Sequence, residues 1–217
     1  MEISDLKGLV HKKLFERLKI FPSLRPAQAK AIEKGLLKRK NILICTPTAS
    51  GKTLIAEIAC INSILNNVGK AIYVVPLKAL ATEKYHEFTK NYKELKIGLA
   101  IGDSDSKRDN FSDYDFLITT SEKLDSLIRH HSPWLASVTT VVVDEVHLLN
   151  DPGRGPTLEI LITILKKMLP KLQLVALSAT IGNPKELAKW LDAELVEDTW
   201  RPVKLKQGVY IKGKIKF

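Results

Sequence analysis

An apolar run, Asn41-Ile42-Leu43-Ile44, leads directly into CTPTASGKT, Cys45 to Thr53, and a helical pattern follows to Leu65. No other feature limits the possible folds so tightly. A strand that turns into a helix through a tight loop aims several backbone N–H groups and the positive helix end at one point, a place built for phosphate. Thr48, Ala49, Ser50 and Gly51 would line that cradle, with Gly51 letting the backbone approach. Lys52 would neutralise β- and γ-phosphates as a point charge, and Thr53 would give its hydroxyl to a magnesium ion. The strict loop pattern opens on Gly, whereas here Thr46 stands first and Ala49 takes the place of the Gly common one step before Ser50.

A second acidic strand end answers the loop. Val141-Val142-Val143 runs into Asp144-Glu145-Val146-His147. Asp144 would hold the divalent ion, and Glu145 would orient and deprotonate an attacking water, a role that needs a carboxylate near the metal but not on it. Zinc is a poor alternative for Asp144, Glu145 and His147, because the run lacks a second histidine at helical spacing and follows a buried strand. His130-His131 reads as a solvated helix end. The cofactors implied are therefore ATP and Mg²⁺.

Periodicity places this pair in an α/β frame. Strands are predicted at 41–45, 71–75, 97–101, 116–119, 139–144 and 174–178, and helices at 26–38, 52–66, 77–91, 121–129, 157–169 and 184–191. Repeated β-α units with short connections make a mostly parallel sheet with helices on both faces, and ligands bind at the carboxyl ends of its strands. Both motifs fall at such ends. The 217 residues suit one domain with a small appendage. Residues 1–22 carry an amphipathic stretch (Leu6, Leu9, Val10, Leu14, Leu18), 23–200 form the lobe, and 201–217 alternate apolar residues with lysines as an exit strand or linker.

No apolar stretch approaches the ~20 residues of a membrane span, and the start lacks a signal-peptide pattern, so the expected partners exclude a membrane and the expected location is cytoplasmic. The two cysteines, Cys45 and Cys60, read as small buried hydrophobes. Thirty-four Lys and Arg against 24 Asp and Glu give a formal charge of +10, which suits a polyanionic partner and also the lysine-rich surfaces of heat-adapted proteins.

Five ordered segments carry a family resemblance: PTASGKT, VVPLKALA from Val74, TTSEKLDSL from Thr119, DEVHLL from Asp144 and SATIGN from Ser178. Together they resemble the first RecA-like lobe of a superfamily 2 Ski-type helicase, closest to the archaeal Hjm-like DNA repair branch. The resemblance covers about Leu24 to Lys206. It implies a P-loop NTPase fold and assigns roles by position. Gln28 is similar to the glutamine that reads the adenine edge. Pro76 and Lys78 resemble the segment that grips phosphates of a tracked strand, and Thr119, Thr120 and Lys123, with Glu122, resemble a second such segment. Gly102-Asp103 occupies the place of a minor motif. His147, Ser178 and Thr180 would couple the γ-phosphate site to motion. Phe21 remains open between base stacking and the core.

By the same resemblance, arginines of a second RecA-like lobe complete the ATP site, at ~10³ to 10⁵ in rate for related phosphoryl transfers. The 217 residues are then expected to hydrolyse ATP poorly alone, and to be a piece of a longer ATP-dependent 3′-to-5′ helicase acting on single-stranded or forked DNA. WRPVKL from Trp200 favours the DNA-repair branch over an RNA helicase. A stand-alone module that binds ATP and nucleic acid without motor activity is the competing expectation. A small P-loop kinase would need an arginine-bearing lid that does not appear.

Overall fold

The computed structural model describes residues 1–102, 111–130, 132–204, 208–211 and 213–216. Asp103, His131, Lys206 and Lys212 lie outside the described residues. Seven strands form one parallel sheet in the order β3-β4-β2-β5-β6-β1-β7. They are β1 (Ile42–Cys45), β2 (Lys70–Val75), β3 (Ile97–Ala100), β4 (Phe116–Thr120), β5 (Val138–Val143), β6 (Gln173–Ser178) and β7 (Glu194–Glu197). Seven helices accompany them: α1 (Lys12–Leu18), α2 (Pro26–Glu33), α3 (Lys52–Leu65), α4 (Lys78–Asn91), α5 (Ser121–Arg129), α6 (Gly155–Met168) and α7 (Pro184–Leu191).

Both faces of the sheet are covered, which is why its strands are apolar at successive positions and not alternately polar. Ile42, Ile44, Tyr73, Val75 and Val142 join one core with residues of α1 to α4, such as Leu14, Ala31, Ile55 and Phe88. Their strand neighbours Leu43, Ile72, Val74, Val141 and Val143 point the other way, into a core with Leu124 and Leu127 of α5, Leu161 and Leu165 of α6 and Leu191 of α7. The predicted doubly covered α/β sheet is present.

Four local expectations need correction. The helix predicted over 26–38 ends at Glu33, because Gly35 adopts φ +107° and a 3-10 turn, Leu36–Lys38, follows. The N-terminal stretch is not one helix: a 3-10 turn, Ile3–Leu6, precedes Gly8 at φ +78° and then α1; Leu6 and Val10 before α1 and Leu14 and Leu18 within it are buried, while Leu9 is exposed. β7 was not foreseen. At this sheet edge only Val196 is fully buried, so the strand has no periodic apolar signature. The single exit strand expected after residue 201 is a hairpin, β8 (Val209–Ile211) with β9 (Lys214–Lys216), paired antiparallel across Gly213.

Candidate functional site

The loop Thr46–Gly51 leaves β1, which lies between β6 and the edge strand β7, and enters α3 with Gly51 as N-cap. Gly51 takes φ +95°, and a Cβ there would stand 2.4 Å from Gln28 Nε2 and 3.1 Å from Arg25 Cδ. Only glycine fits such a position. Ala49 also takes a left-handed φ, +67°. The departure from Gly noted in the sequence thus sits where a side chain is strained, by about 1 kcal/mol or somewhat more. The loop is tied internally by the Thr46 and Ser50 hydroxyls, 2.7 Å apart and buried.

Lys52 Nζ donates to the carbonyls of Thr46 (3.0 Å) and Pro47 (3.2 Å). Burial lowers its pKa below the usual lysine value, while the charges of Glu145 and Asp144 act to raise it. Those carboxylates belong to the end of β5, two strands away from β1. The neighbouring strand β2 supplies a residue that the sequence reading missed: Tyr73, fully buried, donates its hydroxyl to Asp144 Oδ2 at 3.0 Å. Burial followed by the Asp144 charge pushes the Tyr73 pKa well up, so the group stays a donor. Its only trace in the sequence is a polar-tipped ring inside an otherwise aliphatic strand.

The Glu145 N–H donates to Asp144 Oδ1 at 2.9 Å, and Glu145 itself takes φ +52°. A non-glycine residue in that region is held there by its surroundings. His147 Nδ1 lies 3.2 Å from Glu145 Oε2 and 3.4 Å from the Ala179 amide nitrogen. One nitrogen cannot both accept from the amide and donate to the carboxylate, so the ring's protonation selects between the two contacts. Ser178 is fully buried at the end of β6, and Thr180 is exposed just beyond it. Cys45 and Cys60 are free and buried, and burial raises the Cys45 thiol to about 11.

The oxygen donors of Thr53 and Asp144 suit a hard divalent cation such as Mg²⁺. Zinc finds no such set: among the described residues there is no group of three His, Cys, Asp or Glu able to hold a metal. The loop, Lys52 and these oxygens fit a magnesium-bound nucleoside polyphosphate.

Gln28 differs from its expected posture. It is buried, its Oε1 accepts from the Arg25 amide at 2.8 Å, and its Nε2 donates to the Gly51 carbonyl at 3.0 Å. Both ends of the amide are engaged with the chain, so Gln28 fastens α2 to the loop. Phe21 is 40% exposed and does not belong to the core.

The expected nucleic-acid contacts cluster at the other end of the sheet. Pro76, half-buried, and Lys78, exposed, follow β2 at the start of α4, and Gly102 (φ +75°) follows β3 with Lys78 Nζ 3.8 Å from where its Cβ would stand. Thr119 is buried and donates to the Ala100 carbonyl at 2.8 Å, while the Thr120 hydroxyl accepts from the Lys123 amide as the N-cap of α5. These hydroxyls are therefore not offered outward as expected: a carbonyl of the neighbouring strand takes the first and the capping of α5 takes the second. The Lys123 side chain is likewise buried, at 6% exposure.

A glycine-capped turn from a parallel-sheet strand into a helix, with an acidic strand end two strands away, defines a RecA-like P-loop fold. Residues 25–187 match the model of the DEAD/DEAH box helicase family, and the chain belongs to that family. Among its relatives, the ATP-dependent DNA helicase Hel308 of Methanocaldococcus jannaschii is 55% identical over 215 residues, 94% of this chain and 18% of that protein. Hel308 of Pyrococcus horikoshii is 51% identical over 217 residues, 98% of this chain and 30% of that protein. Among solved structures, the DUF1998 helicase MrfA bound to DNA matches with a TM-score of 0.77 and 27% identity over 88% of this chain and 30% of that one. The chain thus spans less than a third of the length of these relatives. No described helix is long and apolar enough to cross a membrane.

Proposed function

We propose that this chain is the ATP-binding first motor lobe of an ATP-dependent DNA helicase, moving 3′ to 5′ on single-stranded or forked DNA in the cytoplasm together with a second RecA-like lobe. One observation carries the reading. The sheet order gathers the loop, the DEVH end and the SAT end on β1, β5 and β6, while the strand-gripping segments follow β2, β4 and β3 on the other half. That arrangement supports a nucleotide site and a polyanion-facing site on one rim, and the Hel308 relatives and the DNA-bound MrfA support DNA as the polyanion.

In this reading the loop amides and Lys52 would bind the β- and γ-phosphates, and Thr53 and Asp144 would hold Mg²⁺, which would supply charge neutralisation at the phosphates. Tyr73 fixes the Asp144 carboxylate. Glu145 orients a water and takes its proton. His147 passes the change at Glu145 to the SAT segment through Ala179, with Ser178 and Thr180 beside it. Lys78, Pro76, Gly102 and the amides at the starts of α4 and α5, near Thr119, Thr120 and Lys123, grip the DNA backbone.

The first test is calorimetry with Mg·ADP. Binding is expected to weaken roughly 100-fold on Lys52→Ala, the loss of a charged hydrogen-bonding partner of phosphate. Binding that is absent, or indifferent to that change, would remove the nucleotide site. Competition between DNA and RNA oligonucleotides on the two-lobed protein, at recorded salt, decides the polymer; preference for RNA would make it an RNA helicase lobe of the same family.

A further inference from the structure

The segment that follows β7 does not leave the lobe freely. Lys30 of α2 donates to Asp198 Oδ2 (2.7 Å) and to the Glu197 carbonyl (3.0 Å), and the Trp200 amide donates to Asp198 Oδ1 at 2.7 Å. The Asp198 side chain is only 9% exposed; burial alone would raise its pKa, but the Lys30 bond and the Trp200 and Thr199 amides outweigh it and hold the carboxyl below its usual range. This anchor sets the Trp200 ring under Arg25, whose guanidinium carbon lies 5.5 Å from the ring centroid. The same guanidinium donates through Nη1 to the Ala49 carbonyl of the phosphate loop at 2.7 Å. The charge of Arg201 is felt at Lys52.

Three stretches distant in sequence, around 25–28, 46–51 and 198–201, therefore meet within one side-chain length of the loop. Gln28 is buried there with both amide ends engaged, whereas Trp200 keeps 37% of its surface open and Arg25 is exposed. An indole held open beside a phosphate cradle is a stacking surface for a flat π-system, and every nucleobase has one.

We infer that Trp200, with Arg25, forms the base-side wall of the nucleotide site: the indole stacks on the base, and the Arg25 guanidinium joins that wall to the phosphate loop. This rests on the nucleotide reading above. It makes the segment leaving the lobe part of the nucleotide pocket.

The test is titration calorimetry on this chain with Mg·ADP and, separately, inorganic tripolyphosphate. Trp200→Leu and Trp200→Ala are expected to weaken ADP roughly tenfold and Trp200→Phe to stay within about threefold, since stacking needs only an aromatic face. Tripolyphosphate affinity should stay unchanged in all three. Equal ADP affinity in the Leu and wild-type proteins overturns the assignment, as does a loss shared equally by ADP and tripolyphosphate, which would make Trp200 a brace for the loop. If the Ala variant does not fold, the Leu and Phe pair decides. Wild-type ADP binding that is absent or unaffected by Lys52→Ala sinks the nucleotide reading and this wall with it; normal binding with an indifferent Trp200 sinks the wall alone.

Discussion

The two halves of the strand-end rim are built differently. On the half that carries the loop, polar groups reach between segments, Tyr73 to Asp144, Arg25 to Ala49 and the Ala179 amide to His147, while Lys52 closes on the carbonyls of the loop before it. On the opposite half the threonine hydroxyls are spent inside the lobe, Thr119 across to the Ala100 carbonyl of β3 and Thr120 on the Lys123 amide, and what faces outward is a helix start with Lys78. Chemistry that must distinguish a triphosphate from a diphosphate needs parts that sense one another. A grip that slides along a uniform phosphate backbone needs only backbone N–H groups and charge.

That contrast can be broken most directly by Glu145→Gln in a protein with both lobes. ATP binding should persist while turnover falls by about 10²- to 10⁴-fold, the usual share of a general base; steady-state rates near wild type would take Glu145 out of the chemistry. Next comes Tyr73→Phe, which keeps the ring and removes the hydroxyl that donates to Asp144 Oδ2. Affinity for ADP should fall roughly fivefold with Mg²⁺ present and change little with the ion chelated. A loss independent of magnesium would make Tyr73 a packing residue only.

Lys78→Ala sharpens the other side. DNA affinity should drop a few-fold with the salt slope reduced by about one, and ADP binding should not move. An altered ADP affinity would show the halves to be less separate than their bonds imply. The smallest effect is expected from Ala49→Gly, which relieves a left-handed alanine at the cost of chain entropy. Thermal unfolding should show a change between zero and about 1 kcal/mol in favour of the variant. A clear loss of stability would mean that the Ala49 methyl makes contacts worth more than its strain.

Much of this was written in the sequence because local physics wrote it there. Strands buried on both faces must be continuously apolar, and a tight turn from such a strand into a helix calls for glycine, so the sheet and the glycine-capped turn after β1 were legible in the sequence. What escaped depends on partners far along the chain. Tyr73 is ordinary until β5 lies beside β2. Lys123 and Thr119 look like outward grips until capping and the β3 neighbour turn them inward. The bonds of Gln28 to the Gly51 carbonyl and the Arg25 amide are likewise not signalled by its place in the chain. β7 has too few buried residues to show any period.

β7 has one more implication. It runs parallel to β1 in four-residue register, Ile42 opposite Glu194 through Cys45 opposite Glu197, immediately before the loop begins. Tension on the polypeptide past Glu197 loads this pair along its length, so that the ladder bonds resist together in shear and do not peel one by one. Mechanical work passing through that end of the lobe is thus delivered to the strand that carries the phosphate loop.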